Sequence, residues 1–260
     1  MKAIGSGPPL VLVPGVQGRW EWMRPAVDAL ARHFRVITFS LVGERRSGMA
    51  LDEAVGFDSH VDQLDGILAQ AGVERTLLCG VSFGGLIALR YAAVRPERVA
   101  GLVLVSTPGP GWKPTERQQA YVHAPRTSVI KFVGGAPGRL WREIHAALPG
   151  PAERWRTAAG YLAAILSAPA SGVRMARRVQ LVANCDLRAD AASIAVPTLV
   201  VTGEPELDRV VPVAGTREYL GLIPGAVGRT LEHTGHIGLI TKPELFAAVL
   251  HDFSVSTRSR

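Results

Sequence analysis

A serine hydroxyl becomes a useful nucleophile only when a neighbouring base takes its proton and a third group holds that base in place. The chain offers Ser82 for this role, in the run Gly80-Val81-Ser82-Phe83-Gly84, a G-x-S-x-G pattern. The apolar stretch Thr76 to Gly80 leads into it and the helical pattern Leu86 to Val94 leads out, so Ser82 is expected at a sharp strand-to-helix turn. Flanking glycines tolerate the strained backbone of such a turn, and the helix N-terminus favours negative charge developing nearby. Partners stand further along. Glu204, Glu206 and Asp208 follow the apolar run Thr198 to Thr202, in a turn that closes at Val210-Val211-Pro212. His233 and His236 lie in Glu232-His233-Thr234-Gly235-His236, after a short strand and before the last helix. Serine, acid and histidine in that chain order suit acyl transfer.

The elements that must position these groups follow from periodicity. Leu10 to Val13, Arg35 to Ser40, Thr76 to Gly80, Val99 to Val105 and Thr198 to Thr202 are short apolar runs bounded by Gly, Pro or polar residues, as strands buried on both faces are. Helical stripes lie between and after them. Phe57, Val61, Leu64 and Leu68 form one; Leu245, Val249 and Phe253 form another, behind Thr241-Lys242-Pro243-Glu244, which reads as a capping box. Strand and helix alternating in steps of about 30 residues predict an α/β fold with a doubly wound, mostly parallel sheet.

One stretch breaks the rhythm. The 88 residues from Pro108 to Ala195 far exceed what one crossover needs, so residues 108–195 are expected to form an inserted helical cap on a core of 1–107 and 196–260. Pro/Gly clusters at 108–111, 134–138, 149–151 and 168–172 divide it into about four helices. A stripe of Trp155, Ala158, Ala159, Leu162, Ile165 and Leu166 marks one of them. Trp112, Tyr121, Phe132, Trp141, Trp155 and Tyr161 are expected mainly in the cap's own core, with a few lining a pocket beneath it.

The chain of 260 residues is 47% hydrophobic and 20% charged, which excludes a disordered chain. Its net charge of +7 is concentrated: 111–185 holds eleven basic and three acidic residues, leaving the rest nearly neutral. With 25 Arg against 4 Lys, a general preference for Arg on solvated helix faces accounts for much of this, and an acidic partner meeting the cap is the sharper reading. No recognised nucleic-acid motif or aromatic-interleaved basic stripe accompanies it. Cys79 and Cys185 cannot build a disulfide framework and lack zinc spacing. No run approaches the ~18 apolar residues of a membrane span, and no leader pattern opens the chain. A cytoplasmic protein is expected. Cys79 reads as a small buried hydrophobe, and His60, His123, His145 and His251 as surface or satisfied core groups.

Five ordered landmarks now carry a resemblance. They are Pro9-Leu10-Val11-Leu12-Val13-Pro14-Gly15; the Ser82 turn; Ala92 to Val99 with Leu102-Val103-Leu104-Val105; Val196-Pro197-Thr198-Leu199-Val200; and Thr234-Gly235-His236. In this the chain resembles the α/β-hydrolase superfamily, in the branch of small cap-bearing serine hydrolases. The resemblance implies Ser82 as nucleophile, His236 as general base and acid, and the N–H groups of Val16 and Phe83 as the oxyanion hole. Counting back from the closing proline puts the acid at Asp208, whereas counting forward from the strand-end glycine puts it at Glu206; Asp208 is favoured. His233 competes with His236 but lacks the preceding glycine. Pro14 stands where the family usually has His, and Ser40 where it commonly has Asp, both at the site mouth. The chain starts almost at the family's third strand, so a sheet of about six strands is expected, with the first two family strands reduced or absent.

The resemblance implies a cofactor-free serine hydrolase that cleaves a small-molecule carboxylic ester through an acyl-enzyme, with no metal. Serine at the elbow disfavours the epoxide hydrolase and dehalogenase chemistries of this fold, which need a carboxylate nucleophile. Amide, lactone, thioester and C–C cleavage and perhydrolysis stay open. So do an ester presented on an acidic carrier protein and a ligand-binding signalling protein with slow hydrolysis.

Overall fold

Leu10 and Leu12 belong to one apolar cluster and Val11 and Val13 to another, so a single short strand is buried on both faces. Leu102 and Leu104 separate from Val103 and Val105 in the same way. Strands of that kind need a helical layer on each side. The computed structural model, which describes residues 1–45, 47–114, 116–125, 131, 134–182 and 185–258, has that architecture.

The sheet has seven strands: β1 (Lys2–Ile4), β2 (Pro9–Val13), β3 (Arg35–Thr38), β4 (Thr76–Val81), β5 (Val99–Val105), β6 (Thr198–Thr202) and β7 (Val227–Thr230), in spatial order β1-β3-β2-β4-β5-β6-β7. β1 runs antiparallel to β3 and every other pairing is parallel. Six strands run parallel, as expected, and β1 adds a short antiparallel seventh. β1 escapes sequence reading because its three residues are mostly exposed and carry no buried alternation.

One face is covered by α1 (Arg24–Leu30), α11 (Gly238–Thr241) and α12 (Pro243–Arg258), which bring Val27, Leu30, Leu239, Phe246 and Leu250 onto Leu12, Val103 and Val201. The other is covered by α2 (Ser59–Ala71) and α3 (Phe83–Val94), whose Leu64, Leu68, Leu86 and Leu89 meet Val11, Leu78 and Leu104. The capping box expected at Thr241 is replaced by other bonds: Thr241 Oγ1 donates to the Ile237 carbonyl, and the Glu244 carboxylate pairs with Arg32.

Between β5 and β6 the described residues form α4 (Glu116–His123), α5 (Ala136–Ala147), α6 (Pro151–Ser167), α7 (Gly172–Val182) and α8 (Leu187–Ser193), one helix more than expected. Two short helices, α9 (Val213–Arg217) and α10 (Tyr219–Leu222), follow β6. Pro/Gly punctuation marks helix starts, with Pro137 and Pro151 in first turns and Gly172 opening α7. Because β5 and β6 are parallel, the chain must return along the sheet before β6 begins. α8 makes that return, packing Leu187 and Ala191 into the same cluster as α3. The insertion's root is tied to the core by buried bonds from Thr216 Oγ1 to the Thr107 carbonyl (2.6 Å) and from the Tyr219 hydroxyl to the Pro108 carbonyl (2.7 Å).

The stripe on α6 does not form a core. Trp155, Leu162 and Leu166 are 72%, 54% and 73% exposed, because α6 meets the rest of the molecule along a narrow edge of Tyr161 and Ile165. Trp141 is also largely exposed, with its ring against His145. Trp112 is partly buried against the core. Phe132 and the Tyr121 side chain lie outside the described residues. Among the described residues no helix is long and apolar enough to cross a membrane.

Candidate active site

β4 ends at Val81 and α3 begins at Phe83, which leaves Ser82 alone to make the turn, at φ 53 and ψ −122. A non-glycine residue there is strained by about 1–3 kcal/mol and is held by its surroundings. Those surroundings are backbone. Ser82 N–H donates to the Val105 carbonyl (2.8 Å) and Gly85 N–H to the Ser82 carbonyl (2.8 Å). A Cβ on Gly80 would run into the Gly84 carbonyl, and one on Gly84 into the carbonyls of Val13 and Pro14. Both glycines of the motif are thus required by close approach. Phe83 is the first residue of α3, so its N–H has no partner within the helix.

Across from Ser82, the loop after β2 turns tightly, with Gly18 N–H on the Gly15 carbonyl (2.8 Å). Val16 lies in this loop. Its carbonyl accepts from Arg178 Nη1 (2.9 Å), which reaches down from α7; Arg178 is 3% exposed and also pairs with Glu44 (2.9 Å). The insertion thereby orients the peptide that carries Val16.

Asp208 follows β6. Its Oδ1 accepts from the N–H groups of Val210 and Val211, both at 2.9 Å, and its Oδ2 meets His236 Nδ1 at 3.2 Å. A carboxylate only accepts, so Nδ1 carries the hydrogen and leaves Nε2 as the basic atom. Burial alone would push the Asp208 carboxyl up, but the His236 charge and hydrogen bond, with the two amides, hold it below the ordinary carboxylate range. Burial alone would lower His236; the Asp208 carboxylate, its hydrogen bond and the nearby Glu143 reverse this and raise it. Glu206, the alternative acid, points into solvent from the turn, two residues short of the position that reaches the ring. His233 is exposed at φ 59, and its N–H donates to Glu204 Oε1 (2.7 Å), so it shapes the turn.

Ser82 and His236 line one cavity of about 100 Å³. Gly15, Val16 and Gln17 form one wall, Trp22, Met23, Leu239 and Ile240 another, and Arg139, Leu140, Tyr161 and Ile165 of the insertion close it. Pro14 and Ser40, expected at the mouth, are not in its lining: the Pro14 carbonyl lies against Gly84, and Ser40 is buried with its carbonyl bonded to Gln63. Cys79 is fully buried in β4, where burial raises its thiol far above the ordinary range. Phe57 and Phe83 rings pack on buried His60, and burial lowers it to about 4, so it is neutral.

With that geometry in view, the sequence matches the alpha/beta hydrolase fold family over residues 8–243. The chain belongs to the α/β-hydrolase family. This α/β-hydrolase is 24% identical over 262 residues to a protein of Serratia proteamaculans named "Putative carbamate hydrolase RutD", covering 97% of this chain and 92% of that one. A Klebsiella pneumoniae protein of the same name is 28% identical over 252 residues, covering 95% and 91%. Among solved structures, the enol-lactonase of Burkholderia xenovorans LB400 superposes with a TM-score of 0.80 at 22% identity, covering 97% of this chain and 94% of that one, a likeness of fold.

Two residues beside the site of this hydrolase carry no motif. Glu143 on α5 and Arg178 on α7 are charged groups on the buried edges of amphipathic helices, beside Leu140 and Ala147 and beside Leu181 and Val182. A charge at an apolar-stripe position is the signal by which sequence alone could have singled them out.

Proposed function

We propose that this α/β-hydrolase cleaves a small carboxylic ester without a cofactor, with Ser82 as nucleophile. One observation carries the reading: Ser82, held in a strained turn at the start of α3, shares a cavity with a histidine whose Nδ1–H is bonded to a buried carboxylate. His236 Nε2 takes the Ser82 proton as Oγ attacks the ester carbonyl, and Asp208 stabilises the imidazolium. The tetrahedral oxyanion meets the N–H groups of Val16 and Phe83. His236 then protonates the departing alkoxide, the acyl group stays on Ser82, and a water activated by the same histidine releases the acid. Helices α4 to α7 act as the cap over this site, and a cavity of about 100 Å³ suits a short acyl group.

The test is hydrolysis of p-nitrophenyl esters from acetate to palmitate, with Ser82→Ala and His236→Ala as controls. Turnover greatest on the shortest esters and lost in both variants is the expected result. Parent turnover no faster than Ser82→Ala on every ester would overturn it. A burst of one product per chain followed by arrest would point instead to a ligand-binding protein.

The full-length likeness to proteins named as carbamate hydrolases favours a second reading, attack of the same serine on a carbamate carbonyl. A p-nitrophenyl carbamate turned over faster than the matching ester would select it. An ester on an acidic carrier has less support. Arg174 and Arg178, counted in the basic excess, pair with Glu44, and Arg177 pairs with Glu53. A carrier-borne ester whose KM rises with salt far more than that of a neutral ester would restore it.

A further inference from the structure

Helix α5 places a carboxylate where an amphipathic helix is expected to place an apolar group. Glu143 is 0% exposed, on the edge formed with Leu140 and Ala147. A buried carboxylate is costly unless it is bonded, so its partners indicate its use. Its two oxygens lie 3.0 and 3.1 Å from the N–H of Ile237, and the Gly235 N–H bonds to it as well. These amides flank His236 on either side. The fit is close: a Cβ on Gly235 would stand 2.8 Å from Glu143 Oε2.

The titratable groups around Glu143 are Tyr161 on α6, on which Arg139 of α5 also acts, and His236 and Asp208 on the loops after β7 and β6. Burial pushes the Glu143 carboxyl up to about 7, against the Gly235 and Ile237 amides and the His236 charge, which lower it; Asp208 adds to the rise. Glu143 and His236 therefore bias one another's charge: ionised Glu143 raises His236, and charged His236 lowers Glu143.

We propose that Glu143 is a positioning residue for His236: it fixes the backbone on both sides of that histidine and adds a second negative charge, after Asp208, beside the ring that must become an imidazolium. The chemical role rests on the serine-hydrolase reading. The electrostatic part does not. When Ser82 gives its proton to His236, an ionised Glu143 holds the resulting cation and a protonated Glu143 does not. A charged group of the insertion thus acts on the histidine of the core without touching substrate.

Glu143→Gln keeps the shape and one acceptor oxygen but removes the charge; Glu143→Ala removes both. Three quantities decide. In Glu143→Gln the His236 imidazole pKa, followed by NMR titration, is expected to fall by about one unit. On p-nitrophenyl acetate kcat is expected to fall about tenfold at unchanged KM, with the pH midpoint of kcat/KM moving down in parallel. The Tm at pH 8 is expected to hold or rise, since a buried anion is gone. A Glu143→Gln protein with parental His236 pKa and parental kcat would overturn the proposal, as would losses confined to Glu143→Ala and matched by a fall in Tm, which would make the group structural only. Should parent turnover equal that of Ser82→Ala, the hydrolase reading fails, and the NMR titration still decides whether Glu143 acts on His236.

Discussion

Ser82 and Glu143 serve one site from two regions built in opposite ways. The turn around Ser82 is set by backbone: strand ends in register, amides on carbonyls, and glycines where chains pass too closely for a side chain. The insertion reaches the site through side chains, with Glu143 holding the His236 loop and Arg178 holding the Val16 loop, while α6 leaves Trp155 and Leu166 in solvent. Backbone placement is rigid, which suits the nucleophile role proposed for Ser82, since small misplacements are costly in rate. Side-chain placement can be altered one residue at a time, which suits tuning.

That contrast can be attacked from both sides. Asp208→Asn should cut kcat/KM by about 10³-fold or more while leaving the fold intact, because the amide no longer holds His236 in its reactive tautomer. Near-parental activity would mean that Asp208 is not the partner of the ring. In the backbone-built region, Gly84→Val should lower stability by about 3 kcal/mol or prevent folding, since Val13 and Pro14 carbonyls cannot move aside; an unchanged denaturation midpoint would refute the close approach. In the insertion, Arg178→Met should cost about 1–3 kcal/mol by leaving buried Glu44 to Arg174 and the Val16 carbonyl without its donor, and should also slow turnover by loosening Val16. Loss of stability without loss of rate would separate Arg178 from the site. At the small end, Trp155→Ser should change stability by less than about 0.5 kcal/mol and leave kcat unchanged. A larger loss would mean that this surface is covered in solution.

The pH dependence follows from the same pair. His236 is raised above its ordinary 6.5, so its charged form contributes stability below that pH and the contribution is lost as pH rises through the folded value. The proposed mechanism needs the neutral ring, so kcat/KM should rise across the window in which that stability is lost. Asp208, held below 3.8, contributes stability above that value and loses it as pH falls through the folded one. A rate profile with its midpoint below 6.5 would contradict the assigned pairing.

What the sequence revealed follows the same division. The strands around Ser82 were legible because burial on both faces leaves an uninterrupted apolar run, and the glycines because close backbone approach admits little else. Asp208 and Glu206 could not be separated by counting, since a turn's length does not say which carboxylate points inward. In the insertion the rules gave opposite errors. The apolar stripe of α6 reads as core and is exposed, while Arg178, counted with the Arg residues of solvated helix faces, is buried, as is Glu143, which no motif marks. Periodicity shows that a helix has two faces; it does not show which face has something to lie against.

Ser82 has one further consequence. A glycine at position 82 would accept φ 53 and ψ −122 at ease, so Ser82→Gly should melt higher than the parent and hydrolyse nothing. Stability and chemistry therefore select opposite residues at this position. Ser82→Gly thereby sets the strain of the turn, read as a gain in melting temperature, against the proposed reaction, read as a loss of turnover.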